Sequence, residues 1–245
     1  MAKLKIIKVE NYDELSKKGS ELLLNELIKL ERPVIGLATG STPEGVYNEL
    51  IKYHKENNYS FKNVVTFNLD EYIDLPEENE NSYHFYMKDK LFNHVDIPLN
   101  QTYVPDGMAD DLELECNRYE QAIKQAGGIN IQLLGLGVNG HIGFNEPGTA
   151  FDSKTHVITL DKSTRNANAH YFASGGDVPE QAISMGIKSI MQAEKIILLV
   201  SGKNKARALK RFFEEEITED FPATILHKHE NVTVIADKAA LSELE

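Results

Sequence analysis

The sequence predicts an α/β protein: a doubly wound, mostly parallel sheet with helices on both faces, a Rossmann-like arrangement of three layers. Two observations carry that expectation. Short runs of β-branched and apolar residues alternate with longer segments whose apolar residues recur three and four apart, the helical period. Parallel strands need a crossover between them, so repeated strand, helix, strand order implies a sheet covered on both sides. A third observation sets the domain count. No Pro/Gly/Ser-rich linker, low-complexity tract or internal repeat interrupts the 245 residues, so 1–245 reads as a single domain.

The elements follow in order. Residues 6–9 form the first strand and 13–30 the first helix. The run 34–38 is a strand that leads through Thr39-Gly40-Ser41-Thr42-Pro43 into a helical pattern over 45–55. Pro43 suits the first helical position, where its missing N–H costs nothing, and this places Thr42 on the N-cap. Strand 64–69 precedes helices over 82–94 and 112–125, and the acidic cluster Glu77, Glu78, Glu80 reads as a solvated loop. Strands 129–136, 156–160 and 195–201, a helix over 206–216 and a last strand at 232–236 complete the alternation.

Composition narrows the function. No stretch approaches the roughly 18 apolar residues of a membrane span, and the first nine residues carry lysines and no cleavage site of a signal peptide. With 26 basic against 38 acidic residues, the net charge of −12 provides no field for nucleic acid. An anion site must therefore be built locally. A lone Cys116 forms no internal disulfide and matches no zinc signature, which points to a reducing, cytoplasmic setting. His227-Lys228-His229 lacks a third ligand nearby, so no metal is expected there.

In such sheets ligands sit beyond the carboxyl ends of the strands. At the first of these ends, Thr39 to Thr42 combine three hydroxyls with a helix N-terminus, a plausible phosphate cradle without P-loop spacing. At the second, Asp70 and Glu71 are two carboxylates at the mouth of a buried strand; either can serve as a general base or cap the following loop. At the third, Gly135-Leu136-Gly137-Val138-Asn139-Gly140 is a literal G-x-G-x-x-G. A dinucleotide fingerprint must open a helix, and Gly143, Pro147 and Gly148 break this one, so the dinucleotide reading is rejected. The same loop carries His141 and Glu146, an imidazole and a carboxylate able to pair for proton shuttling. At the fourth, Lys203 and Lys205 precede a basic helix, and a lysine there completes an anion site.

Together, Gly36-Leu-Ala-Thr-Gly-Ser-Thr-Pro43, Phe67-Asn-Leu-Asp-Glu-Tyr72 and Gly135-Leu-Gly-Val-Asn-Gly-His-Ile-Gly-Phe-Asn-Glu-Pro-Gly148 resemble the glucosamine-6-phosphate deaminase family, from about residue 33 to the last strand. The resemblance implies conversion of glucosamine 6-phosphate and water to fructose 6-phosphate and ammonia, with no metal or organic cofactor. It implies His141 as the group that opens the sugar ring, with Glu146 and Asn139 tuning it. It implies Asp70 as the base that moves the C2 proton to C1, and Thr39, Gly40, Ser41, Thr42 and Lys205 as phosphate ligands.

Two departures stand out. Several relatives have aspartate where this chain has Asn139, which supplies no charge. Family members commonly carry a phosphate-binding arginine where this chain has His170, a weaker anion partner, with Arg165 nearby as a substitute. Basic residues linked in some relatives to activation by N-acetylglucosamine 6-phosphate are replaced at His156 and Ile158, and the sequence stops at Glu245. No such activation is expected. The expected partner is a small sugar phosphate, not nucleic acid or a membrane, and a homo-oligomer is left open. The rival readings are a 6-phosphogluconolactonase-like hydrolase and a sugar-phosphate sensor without turnover.

Overall fold

The computed structural model describes residues 3–172 and 178–244; Met1, Ala2 and Glu245 lie outside them. In chain order the elements are β1 (Lys3–Val9), α1 (Tyr12–Leu27), β2 (Val34–Leu37), α2 (Ser41–Asn57), β3 (Val65–Asn68), β4 (Asp70–Tyr72) and α3 (Tyr83–Lys90). They continue with β5 (Thr102–Tyr103), α4 (Leu112–Gln125), β6 (Ile131–Gly135), β7 (His156–Thr159), α5 (Lys162–Asn168), β8 (Gln181–Ser184) and α6 (Ile187–Met191). The last are β9 (Lys195–Val200), α7 (Ala206–Glu214), β10 (Asn231–Asp237) and α8 (Lys238–Leu241).

Seven strands form one sheet in the order β1-β10-β9-β6-β2-β3-β5, every pair parallel. Its central strands are mostly apolar, with Gln132 of β6 buried among them, because both faces are covered, as parallel sheets require. Alternation then sorts the side chains into two layers. Val34, Phe67, Leu134, Leu198 and Val234 face one layer, filled by Tyr119 of α4, Ile190 of α6 and Phe212 of α7. Ile35, Leu133, Ile197 and Ile235 face the other, filled by Leu23 and Leu27 of α1 and by Val46, Tyr47 and Leu50 of α2. The doubly wound expectation therefore holds for this sheet.

The run at 156–160 does not join it. As β7 it pairs antiparallel with β8, which pairs antiparallel with β4, making a second, three-stranded sheet. The expected strand 64–69 is likewise divided between the two sheets at Leu69. Its N–H bonds to Leu37 O at 3.1 Å beside the large sheet, and its carbonyl accepts from Met185 N–H at 2.6 Å beside the small one. A hydrophobic run specifies burial but not the partner strand, so this partition is set by tertiary pairing.

A second correction concerns α2. The helix starts at Ser41 with Gly40 as N-cap, not with Thr42. Gly40 has φ +93°, a turn that glycine makes without strain. Pro43 thus falls third in the helix, still within the turn whose N–H groups have no intrahelical acceptor. The helix expected over 82–94 ends at Lys90, where Leu91 leaves helical geometry at φ −142°, and a short 3-10 turn follows at Phe92–His94.

One glycine holds the small sheet against the loop before α4. Gly107 O accepts from Asp74 N–H at 3.1 Å, and a Cβ on Gly107 would lie 1.9 Å from Tyr72 O, a backbone atom of β4. Gly107→Ala should therefore destabilise the protein by about 1–3 kcal/mol, the usual cost of overpacking a site that cannot relax. Chemical denaturation reads this directly, and unchanged stability would mean β4 is free to move.

Candidate active site

The sheet reverses direction of travel between β2 and β6. From β2 the chain moves outward to β3 and β5; from β6 it moves the other way to β9 and β10. Such a switch point leaves a crevice at the strand ends where no crossover covers it. A cleft of about 330 Å³ opens there, and Thr39 to Thr42, Asp70, His141, His170 and Lys205 all line it. The four strand ends singled out by sequence thus converge on one cavity.

The two adjacent carboxylates separate in role. Glu71 is buried and engaged on both oxygens: Oε1 accepts the N–H groups of Tyr72 (2.8 Å) and Tyr83 (3.0 Å), and Oε2 accepts the His84 N–H (2.9 Å). His84 Nδ1 also lies 2.9 Å from Oε2. Glu71 is therefore the carboxylate that caps the following segment, holding the start of α3. Asp70, on β4, lines the cleft instead. Burial pushes its carboxyl up to about 8; the neighbouring charge of Glu71 acts in the same direction, and a hydrogen bond from Phe144 N–H opposes them.

The glycine loop after β6 forms no helix, in keeping with the rejected dinucleotide reading. Its glycines have separate tasks. A Cβ on Gly137 would lie 2.4 Å from the His141 ring, so the ring rests directly on backbone. Gly140 adopts φ +89°, and a Cβ there would meet Phe221 at 2.4 Å. His141 Nδ1 lies 3.5 Å from Glu146 Oε2 and 3.3 Å from Thr164 Oγ1. Asn139 Nδ2 donates to the same Glu146 oxygen at 2.7 Å, while Asn139 Oδ1 accepts the His141 N–H at 3.2 Å. Burial by itself would raise the Glu146 carboxyl, but hydrogen bonds from His141, Thr164 and Asn139 and the attraction of His141 bring it below the ordinary range. Asn139 thus links both groups without adding charge.

On the opposite side, the start of α2 presents the N–H groups of Gly40, Ser41 and Thr42, which a helix start leaves without intrahelical acceptors. Lys205 closes a 3-10 turn at Lys203–Lys205 after β9. That turn is fixed by Asp237, whose carboxylate accepts from Ser201 Oγ at 2.5 Å and Gly202 N–H at 3.1 Å. Burial lowers the Lys205 ammonium below the usual lysine range, and an anion beside it would act in the opposite direction. Lys203 is exposed and does not line the cleft.

His170 lines the cleft, its Nδ1 2.8 Å from Ala167 O. Arg165 does not line it; its guanidinium reaches Glu180 at 3.1 Å. His227 and His229 each engage a backbone carbonyl, of Phe212 and Ala193. Among the described residues no group of three or more His, Cys, Asp or Glu could hold a metal, and no helix is long and apolar enough to cross a membrane.

Sequence reasoning missed the aromatic wall and part of the rim. Tyr72, Tyr83, Phe144 and Phe172 form a contiguous ring cluster lining the cleft, with the two phenol oxygens 3.3 Å apart and Asn168 Nδ2 donating to Tyr72 Oη at 3.0 Å. Glu80, read as solvated loop, lies on the rim. Only the Asp-Glu-Tyr and Gly-Phe-Asn contexts hinted at the aromatics; nothing local marked Glu80.

A family model of glucosamine-6-phosphate isomerases/6-phosphogluconolactonase matches residues 10–235. A glucosamine-6-phosphate deaminase of Oceanobacillus iheyensis is 58% identical over 241 residues, covering 98% of this chain and 96% of that protein. The solved structure of a monomeric glucosamine-6-phosphate deaminase superposes with a TM-score of 0.96 at 50% identity, covering 98% of this chain and 99% of that one. The 6-phosphogluconolactonase of Trypanosoma cruzi shares the fold alone, with a TM-score of 0.78 at 23% identity over 100% of this chain and 98% of that one.

The raised Asp70 carboxyl has a consequence for stability. The folded chain binds this proton more tightly than the unfolded chain does, so stability is lost as pH rises from the ordinary carboxylate range to about 8. Asp70→Asn removes that penalty. Its stability relative to the parent chain should rise steadily between pH 5 and about 8, as read by urea unfolding at each pH; a constant difference would show an unperturbed carboxyl.

Proposed function

This chain belongs to the glucosamine-6-phosphate isomerase/6-phosphogluconolactonase family, and from that membership we propose that it converts glucosamine 6-phosphate and water to fructose 6-phosphate and ammonia. The observation that carries this reading over lactone hydrolysis is the identity of 58% over nearly the whole length with a deaminase, against 23% with a lactonase. The site supports it with a buried, strongly basic carboxylate and a separate imidazole–carboxylate pair in one cleft. A sensor would have no use for a base desolvated to this degree.

The chemistry assigns each group a task. His141, oriented by Glu146 and Asn139, moves the proton from the anomeric hydroxyl to the ring oxygen and opens the pyranose. The ionised carboxylate of Asp70 takes the proton from C2, leaving an enolamine whose electrons lie across C1 and C2. The protonated carboxyl returns that proton to C1, which makes C2 an imine carbon. Water adds at C2, ammonia leaves, and the C2 carbonyl of fructose 6-phosphate remains. A carboxyl titrating near 8 is matched to this task, because a base is most effective when its pKa lies near the working pH.

Gly40, Ser41, Thr42, the hydroxyl of Thr39, Lys205 and His170 hold the phosphate, and that remote grip fixes C2 against Asp70. All these groups come from one chain between residues 39 and 205. One domain and one chain therefore suffice for turnover, in line with the monomeric relative. The lone, buried Cys116 is in keeping with a reducing cytoplasm.

Ammonia and fructose 6-phosphate release from glucosamine 6-phosphate tests the reading, with 6-phosphogluconolactone hydrolysis run in parallel. The parent chain should deaminate, with kcat/KM rising toward an apparent pKa near 8. Asp70→Asn should cut the rate by about 10²- to 10⁴-fold, as loss of a general base does. Lactone hydrolysis without ammonia release would sink the proposal. His170→Arg should lower KM about tenfold by adding a charged, bidentate phosphate ligand; an unchanged KM would remove His170 from the phosphate site.

A further inference from the structure

Four consecutive residues of the turn between β2 and α2 each meet a different tyrosine hydroxyl. Tyr47 Oη donates to Ala38 O. The Tyr83 hydroxyl is hydrogen-bonded to the Thr39 side chain. Tyr86 Oη donates to Gly40 O at 2.7 Å, and Tyr12 Oη donates to Ser41 O at 2.8 Å. The four tyrosines come from three helices, α1, α2 and α3.

We propose that Tyr12, Tyr47 and Tyr86, with Tyr83 against the Thr39 side chain, are positioning residues that hold this turn as an anion cradle, engaging three of its carbonyls so that its N–H groups face the phosphate. The inference rests on the reading that the turn binds the phosphate of the substrate. An anion is attracted by N–H dipoles and repelled by carbonyl oxygens, so a turn that serves as a cradle must keep the two apart. A carbonyl that accepts from a phenol is fixed toward that phenol and away from the ligand. Three of the four carbonyls from Ala38 to Ser41, those of Ala38, Gly40 and Ser41, are treated in this way, and Thr39 is met at its side chain.

Tyr12 goes further, since its hydroxyl bridges Ser41 O and Gly45 N–H, the latter at 2.8 Å. Those are the two groups that an α-helix pairs directly between residues i and i+4. The first turn of α2 is thus linked through a side chain of α1. Gly45 makes the approach feasible, because a Cβ there would lie 2.0 Å from Ser16 Oγ and 3.0 Å from Tyr12 Oη.

Phenols suit the task chemically. They donate a hydrogen bond without carrying charge, and burial moves the Tyr47 and Tyr83 hydroxyls still further from ionisation. No phenol of the clamp adds a cation close to Asp70.

Tyr→Phe substitution tests this while keeping each ring in place. Tyr86→Phe and Tyr12→Phe, made in the full chain, should each weaken binding of inorganic phosphate, read as its dissociation constant by calorimetry. The expected loss is about three- to tenfold, the span of one net hydrogen bond. The KM for glucosamine 6-phosphate should rise by the same factor with kcat unchanged, as expected when binding common to ground and transition state is removed. Tyr53→Phe, farther along α2, should leave both constants as they are. Phosphate affinity equal to the parent's in both variants overturns the proposal, even if their thermal stability falls, because a purely structural hydroxyl predicts that pattern. The phosphate titration needs no turnover, so failure of the deaminase assignment shows separately, as absent ammonia release.

Discussion

A carboxylate removed from water must be surrounded by donors or be driven toward its neutral form, and the neighbours Asp70 and Glu71 resolve that constraint in opposite ways. Glu71 gathers three backbone N–H groups and lies against the His84 ring, so its buried carboxylate oxygens are surrounded by donors. Asp70 is buried with only the Phe144 N–H opposing the rise of its carboxyl, and Glu71 beside it acts in the same direction as burial. Burial makes Asp70 basic, and the carboxylate beside it adds to the effect. Because adjacent residues of a strand point to opposite sides, one three-residue strand serves both the scaffold and the cleft.

The same contacts tie the Asp70 end of the cleft to the turn after β2, which we propose holds the phosphate. Two of Glu71's donors are the first N–H groups of α3, the helix that carries Tyr83 and Tyr86. Those phenols reach Thr39 and Gly40 in the turn after β2. The path from Asp70, the proposed base, to the proposed phosphate cradle is therefore short: Asp70 is bonded covalently to Glu71, Glu71 holds α3 through hydrogen bonds, and α3 holds the turn in the same way. Precise spacing between the two ends is what remote binding energy needs if it is to hold a reacting carbon against a base.

How much of this was legible in the sequence depends on range. The long apolar strands and the helix over 112–125 are written in local periodicity, and the rule of carboxyl strand ends singles out Thr39 to Thr42, Asp70 with Glu71, His141 with Glu146, and Lys203 with Lys205, of which Glu71, Glu146 and Lys203 do not line the cleft. Where two local signals competed, the outcome was less certain: Thr42-Pro43 looked like a cap and first position, yet Gly40 turned the chain two residues earlier. The strands β4 and β8, of three and four residues, are too short to show a period, so the second sheet was invisible. The tyrosine clamp was equally hidden. Tyr12 and Ser41 are 29 residues apart and Gly40 and Tyr86 46 apart, and nothing in either neighbourhood announces the meeting. Choosing between Asp70 and Glu71 likewise required knowing where the N–H groups of α3 lie.

The charge arithmetic now has a physical interpretation. A chain of net charge −12 gains nothing from long-range attraction of a phosphate, so the cleft must bind it by contact. Stacking cations in the cleft would solve that problem and create another. At an effective dielectric constant of ~20, a positive charge ~10 Å from a carboxylate favours its ionised form by about 1.7 kcal/mol, or a little over one pKa unit. Each added cation would therefore erode the basicity that burial and Glu71 give Asp70. Holding the anion by N–H dipoles, hydroxyls and one half-buried lysine avoids that loss. It also leaves the charge of a bound phosphate only partly neutralised, which raises Asp70 further once the site is filled. On the proposed assignment, a histidine at position 170 where the resemblance leads one to expect an arginine gives up fixed charge in the anion site and spares the base.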